Sequence, residues 1–315
     1  MCLALLISTL ALVTLGGVVR ITGSGLGCPD WPLCHGRLIP PLQPAPWIEY
    51  IHRLASLVVT LLVLWLALTA WRRYRSERWV FWPAAAAPVL LAAQIVLGRL
   101  TVLNEIPPAT AWVHTAAAMA IVACVTVPAC VAHAGLRSLS ARWAAHLSAA
   151  RGARRLPALF ALAAAAVYLL LLTGAYVTRS GASAACVAIP ACGPAASSEA
   201  ARRLMGVHML HRWAAVAVTL ALGGVLTAAW RAAPHDRRLR GWLATVGSLL
   251  LAQIGLGAAN VLLGLPAWSR AMHLVVAATL WTAVTILAVS LWRGQEAAFL
   301  EPSRTGMRRA EAGHP

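Results

Sequence analysis

The chain has 315 residues, of which 60% are hydrophobic and only 11% charged, and a formal net charge of +17. A soluble domain carries about 25% charged residues, so this composition excludes an ordinary soluble globular fold. All 26 basic residues are arginines, grouped in short segments between apolar runs, a distribution that speaks for a lipid bilayer surface and against nucleic acid.

In chain order, apolar runs fall near residues 2–20, 50–70, 80–101, 111–133, 157–178, 206–230, 242–262 and 271–292. Each can cross a hydrocarbon core of about 30 Å as a helix, which predicts an all-α membrane protein with eight transmembrane helices. The first run begins at Met1 with no basic residue before Arg20, so it reads as a retained helix rather than a signal peptide. Seventeen of the arginines lie in the segments Arg72–Arg78, Arg137–Arg155, Arg231–Arg240 and Arg293–Arg309. The positive-inside rule places these segments and both termini in the cytoplasm, in a multi-pass protein of the cell membrane. Tryptophans such as Trp31, Trp47, Trp112 and Trp268 mark helix ends as an interfacial belt. The tail after Trp292 reads as disordered.

The second half repeats the first. An offset of 158 carries Gly16-Gly17-Val18-Val19 onto Gly174-Ala175-Tyr176-Val177, Cys28 onto Cys186, Pro32 onto Pro190 and Cys34 onto Cys192. An offset of 159 then carries His52-Arg53 onto His211-Arg212, Gln94 onto Gln253, Gly98 onto Gly257 and His114 onto His273. Such a register implies duplication of a four-helix unit. Four is even, so both units enter the membrane with the same orientation and equivalent residues lie at equal depth. The expected organisation is an N-terminal unit over 1–133, a cytoplasmic Arg-rich linker over 134–156, a C-terminal unit over 157–293 and a cytoplasmic tail over 294–315.

His52, His114, His211 and His273 open the second, fourth, sixth and eighth runs at their extracytoplasmic ends. A lone histidine in a membrane helix is commonly a hydrogen-bonded packing residue. Four in duplicated register point instead to two haem pockets, each with its iron clamped between two imidazoles. No Cys-x-x-Cys-His segment is present, so such a haem is held non-covalently. Glu49 stands three residues before His52, and His208 takes its place in the second unit. A carboxylate one turn from an axial ligand can stabilise a developing cation or orient water; the plainer reading is an ion pair with Arg53 or Arg20. His208 is also a candidate ligand in place of His211, although the register favours His211. Arg20, Arg53, Arg99 and Arg212 lie near the same face and suit either haem propionates or lipid headgroups. Cys28/Cys34 and Cys186/Cys192 enclose matching extracytoplasmic loops, as disulfides or as thiol pairs that pass on oxidising equivalents. Cys2, Cys124 and Cys130 read as small packing residues.

Taken together, the run Gly17 to Gly25, the loop Cys28-Pro29-Asp30-Trp31-Pro32-Leu33-Cys34, Glu49 to Arg53, His114, the Cys186/Cys192 loop, His211-Arg212 and His273 make the chain resemble the heme A synthase family, over nearly its whole length to Trp292. The resemblance implies two tandem four-helix bundles related by pseudo-twofold symmetry. It implies an oxidoreductase that converts haem O to haem A by oxidising the C8 methyl of the porphyrin to a formyl. His52, His114 and Glu49 would line the pocket of the haem O substrate, and His211 and His273 would hold a haem b cofactor. The Cys28/Cys34 pair would matter for activity. Implied partners are a haem O synthase as supplier, a terminal oxidase as consumer, and an electron acceptor for which quinone is the candidate. Two alternatives stand beside this reading. One is a dihaem b-type, quinol-linked electron-transfer protein, which predicts symmetric pockets. The other is a haem carrier that leaves the macrocycle unchanged.

Overall fold

A computed structural model describes residues 1–149, 151–194 and 198–311. Ala150 of the expected linker and residues 312–315 of the expected tail lie outside the described residues.

An apolar run in lipid must satisfy its own backbone, and a helix does so within one segment. The described residues form nine α-helices: α1 (Cys2–Ile21), α2 (Pro44–Arg73), α3 (Arg78–Leu103), α4 (Pro108–Ala132), α5 (Ala134–Ala149), α6 (Leu156–Arg179), α7 (Glu199–Ala232), α8 (Arg237–Leu262) and α9 (Ala267–Glu311). All except α5 are long and apolar enough to cross a membrane, which matches the eight predicted spans. Prolines start α2 and α4, where the missing N–H is unneeded. Asp236 caps α8, its carboxylate accepting the N–H groups of Arg238 and Leu239.

Helices α1 to α4 pack in a ring, α1 on α2, α2 on α3, α3 on α4 and α4 back on α1; α6 to α9 form a second ring in the same order. Between the rings α1 meets α9, α4 meets α6, and α4 meets α9. Exchanging α1 with α6 and α4 with α9 leaves this set of contacts unchanged, as two bundles related by a pseudo-twofold axis would. The seam is packed as a core. Trp281 of α9 is buried, donates its indole N–H to the Met119 carbonyl at 3.0 Å and lies 5.4 Å from the Tyr168 ring. The outward faces are apolar as well, with Leu57, Leu61 and Trp65 of α2 and Trp213, Val216 and Leu220 of α7 exposed.

The repeat reaches the backbone of the connecting loops. Gly23 and Gly181 leave α1 and α6 at φ 69° and 79°, and Ile106 and Leu265 precede α4 and α9 at φ 61° each. The bonds Trp31–Pro32 and Ile189–Pro190 are both cis.

Two segments depart from the sequence expectation. Within the linker, Leu136, Leu139, Trp143 and Leu147 recur at helical spacing and are buried, so α5 is an amphipathic helix laid on α9. The two cross at Gly294, where a Cβ would come within 2.7 Å of the Ser140 carbonyl oxygen. Beyond Trp292, where disorder is expected, α9 continues to Glu311. Glu296 pairs with Arg78 and accepts the Trp79 indole N–H at 3.0 Å, partners too distant in sequence for local composition to reveal.

Candidate functional site

The four histidines come from diagonally opposed helices of the two rings. His52 on α2 and His114 on α4 are close enough to interact electrostatically, and so are His211 on α7 and His273 on α9. The other diagonal of each ring supplies glycines. A Cβ placed on Gly16 of α1 would stand 3.2 Å from His52 Cε1, and one on Gly98 of α3 would stand 3.2 Å from His114 Cε1. In the second ring, a Cβ on Gly174 of α6 would lie 3.0 Å from His211 Cε1, and one on Gly257 of α8 would lie 3.4 Å from His273 Cε1. Glycine inside a helix costs about 1 kcal/mol relative to alanine. Here each glycine admits an imidazole against the neighbouring helix, so helix stability is given up for room at the four histidines.

The ring nitrogens differ between the bundles. Thr173 donates its hydroxyl to the Leu170 carbonyl at 2.8 Å and so turns a lone pair toward His211 Nδ1, also at 2.8 Å. That arrangement puts the proton on Nδ1 and leaves Nε2 with a free lone pair. The equivalent of Thr173 in the first unit is Leu15. His52 Nδ1 is buried without a hydrogen-bond partner among the described residues, as are the Nδ1 atoms of His114 and His273, although the latter two rings lie against the backbone of Gln94 and Gln253. Gln253 Nε2 lies 3.2 Å from His273 Nε2, and the side-chain oxygens of Gln253 and its counterpart Gln94 are buried without partners. Unpartnered buried polar atoms are rare and call for an explanation. Among the described residues five of the eleven such side-chain atoms lie on His52, His114, His273, Gln94 and Gln253.

Disulfide-closed loops cover this end of both bundles. Cys28 is bonded to Cys34 and Cys186 to Cys192. Equivalent arginines fasten the loops. Arg53 donates to the carbonyls of Asp30 and Leu33 at 2.8 Å each and of Cys28 at 2.9 Å. Arg212 donates to Ala188 at 2.7 Å and Ala191 at 3.1 Å, the repeat partners of Asp30 and Leu33. Glu49 is only 2% exposed; one oxygen accepts the Cys28 N–H at 2.9 Å and the other pairs with Arg53 at 2.5 Å. His208 occupies the same position in the second bundle and holds the Ala182 carbonyl at 3.0 Å through Nδ1. Both residues therefore tie a loop to its bundle, but only the first brings a carboxylate. The first loop is further ordered by Asp30, which accepts the N–H groups of Gly36 at 2.7 Å and His35 at 2.6 Å. These bonds hold its carboxyl below the ordinary range.

The remaining predicted arginines divide. Arg99 is exposed, with its guanidinium 5.6 Å from the centre of the Trp31 ring. Arg20 ends α1 within charge–charge range of Arg179 and Arg270. Thr173, Arg179 and Arg270 escape sequence reading because none is shared between the two units. Gly16, Gly98, Gly174 and Gly257 are visible there as marks of duplication, and their register with the histidines is the signal that could have shown their use.

A sequence model of the COX15-CtaA family, described as "Cytochrome oxidase assembly protein", matches residues 1–50 and 47–285. A heme A synthase of Bacillus pumilus (strain SAFR-032) is 32% identical over 206 residues, 64% of this chain and 64% of its own length. One of Shouchella clausii (strain KSM-K16) is 31% identical over 214 residues, 66% of this chain and 67% of its own length. One of Symbiobacterium thermophilum is 39% identical over 111 residues, 35% of this chain and 36% of its own length. The chain thus spans just under two thirds of the first of these relatives. The family match takes in all four histidines and both disulfide loops, in line with the resemblance carried by those residues; the chain belongs to the COX15-CtaA family of cytochrome oxidase assembly proteins.

Proposed function

We propose that this protein is a heme A synthase, a membrane oxidoreductase that converts haem O to haem A by oxidising the C8 methyl of the porphyrin to a formyl. The observation that carries the reading is the set of four imidazoles, two per bundle, each seated on a glycine of a neighbouring helix in a chain of this family. Among the described residues no group of three or more His, Cys, Asp or Glu is placed to hold a metal ion. Two imidazoles suit an iron whose other four ligands belong to a macrocycle. The room that the glycines leave at the imidazoles fits such a group, and the Thr173 bond to His211 Nδ1 leaves Nε2 free to take it. Bound haem supplies one-electron redox chemistry.

In this reading His211 and His273 hold a haem b cofactor, and His52 and His114 hold the haem O substrate. Two axial imidazoles leave no open position on an iron, so the methyl is oxidised at the porphyrin edge by removal of electrons. The first two-electron oxidation adds oxygen from one water and releases two protons to give an alcohol. The second does the same to give a hydrated aldehyde, which loses water to leave the formyl. Glu49 is the carboxylate assigned to steady the developing positive charge. Its bonds to Arg53 and the Cys28 N–H fix its position beneath the first loop. The electrons pass to an acceptor for which quinone is the candidate. The orientation proposed has both termini cytoplasmic and both pockets toward the outer face, with haem O synthase upstream and a terminal oxidase downstream.

A dihaem carrier would need like pockets, whereas Thr173 faces Leu15 and His208 faces Glu49 across the repeat. Mass analysis of porphyrins extracted from the purified full chain tests the reading. The parent should carry haem b together with haem O or haem A; H52A should lose the latter and H211A the former. Haem b alone in the parent would favour a carrier. Full haem A yield from E49Q would remove the role given to Glu49.

A further inference from the structure

The seam between the bundles carries three arginines that no acid balances. Helices α1 and α9 run antiparallel and meet where Gly17 packs on Leu274. Arg20 lies one turn beyond Gly17 and Arg270 one turn before Leu274, so both stand at the same level, at the histidine end. Arg179 ends α6, one turn past Tyr176, whose ring lies 6.3 Å from that of Trp112 on α4. All three are half-buried, and Arg20 is within charge–charge range of both others. Among the described residues none of the three guanidiniums has a hydrogen bond or an ion pair.

The acids at this end are committed elsewhere: Asp30 to His35 and Gly36, Glu49 to Arg53, Glu199 to Arg203. Glu105 is exposed in the turn between α3 and α4. Like charges held together at a low-dielectric seam repel one another unless an anion sits among them. Guanidinium forks suit carboxylates. The placement is crossed: Arg20, from the first unit, lies within charge–charge range of His273, and Arg179, from the second, within that of His114.

We propose that Arg20, Arg179 and Arg270 form one carboxylate-binding site on the seam, where Arg20 receives a propionate of the macrocycle held by the second bundle and Arg179 one from the first. The proposal rests on the haem reading above and adds to it that each bundle completes the other's pocket.

The test uses the full chain in detergent with haem b as the probe, one pocket at a time. H52A/H114A leaves the second pocket open, and H211A/H273A leaves the first. R20Q should weaken haem b binding to the second pocket about tenfold or more and leave the first unchanged; R179Q should do the reverse. R20Q should also move the midpoint potential of the second haem to more negative values, because a lost cation no longer opposes the ferric charge. R20K keeps the charge and should keep the potential, which separates this role from a general loss of fold. Haem b with both propionates esterified should bind the parent as weakly as haem b binds R20Q, and R20Q should weaken it no further. If lipid phosphate is the true occupant, R20Q sheds co-purifying anionic lipid while both haem affinities stay at parent values, and the proposal fails. It fails equally if R20Q weakens the first pocket instead of the second. Absence of haem binding in both backgrounds would remove the haem reading itself.

Discussion

Gly174→Ala is the sharpest perturbation of the site. The added methyl would stand 3.0 Å from His211 Cε1, whereas carbon atoms prefer separations of about 3.5–4.0 Å. The imidazole must therefore retreat by about 0.5 Å or more. Its Nδ1 bond to Thr173, now 2.8 Å, would stretch toward the limit of about 3.2 Å beyond which such a bond weakens. Forcing a methylene into a packed site costs about 1–3 kcal/mol, and alanine returns about 1 kcal/mol of helix propensity. In the empty pocket the ring can turn aside, so the propensity gain remains and the fold is no less stable. With an iron bound the ring cannot turn. The propensity gain is common to both states and cancels, so the packing cost of about 1–3 kcal/mol falls on affinity, roughly a 5- to 160-fold change.

The assay is optical titration of the purified protein with haem b, alongside thermal unfolding of the empty form. Gly257→Ala is the internal control, since its methyl would meet His273 Cε1 at 3.4 Å, an ordinary contact. A graded series is expected, with G174A worst, G16A and G98A intermediate in their own pockets, and G257A near the parent. Equal losses from G174A and G257A, or parent-like affinity in G174A, would refute the idea that these glycines exist to seat the imidazoles.

Thr173→Val keeps the shape but removes the acceptor at His211 Nδ1, and should lower affinity for haem b by about 10–100-fold in the same titration. Arg53→Gln strips three loop carbonyls and leaves Glu49 buried without its cation, which should cost about 3–5 kcal/mol; Arg212→Gln, with no carboxylate partner, should cost about 1–3 kcal/mol, the difference read by thermal unfolding. Burial alone would raise the Asp236 carboxyl, but the Leu239 N–H, Arg142 and the Arg238 N–H outweigh it and hold it below the ordinary range. Its stabilisation is therefore complete above the unfolded value of about 3.9 and is lost as pH falls through the lower folded one. The melting difference between the parent and D236N should accordingly be constant near neutrality and shrink only below about pH 4.

The spans were legible because a bilayer demands long apolar helices, and nothing in the fold overrides that demand. The histidine pairs were legible because duplication wrote each of them twice. What stayed hidden depends on contacts far apart in the chain. Nothing local says that Glu296 meets Trp79, so the helix beyond Trp292 could not be foreseen. The burial of Trp143 turns a basic linker into a packed helix for the same reason. Arg53 and Arg212 sit one residue after a predicted ligand and look equally suited to propionates; only the fold shows their guanidiniums spread over loop carbonyls. Arg179 and Arg270 have no counterparts in the other unit, so the repeat that revealed the histidines could not reveal them.

Duplication supplies two like cradles, and the functional question is what makes them differ. One answer lies directly behind the imidazoles. His211 is held by Thr173, whereas the first unit has Leu15 at the corresponding position and His52 keeps an unpartnered Nδ1. A hydrogen bond to the far nitrogen orients a metal-binding imidazole and raises its basicity, so on the proposed assignment the second pocket would retain its macrocycle and the first would hold one less firmly. A resident cofactor and a departing product make those opposite demands. Leu15→Thr would give the first pocket the missing acceptor. On the proposed assignment it should slow release of haem A, raising the haem A that co-purifies while lowering turnover. If L15T leaves both retention and turnover at parent levels, the difference between the pockets has to be sought in Glu49 and its loop instead.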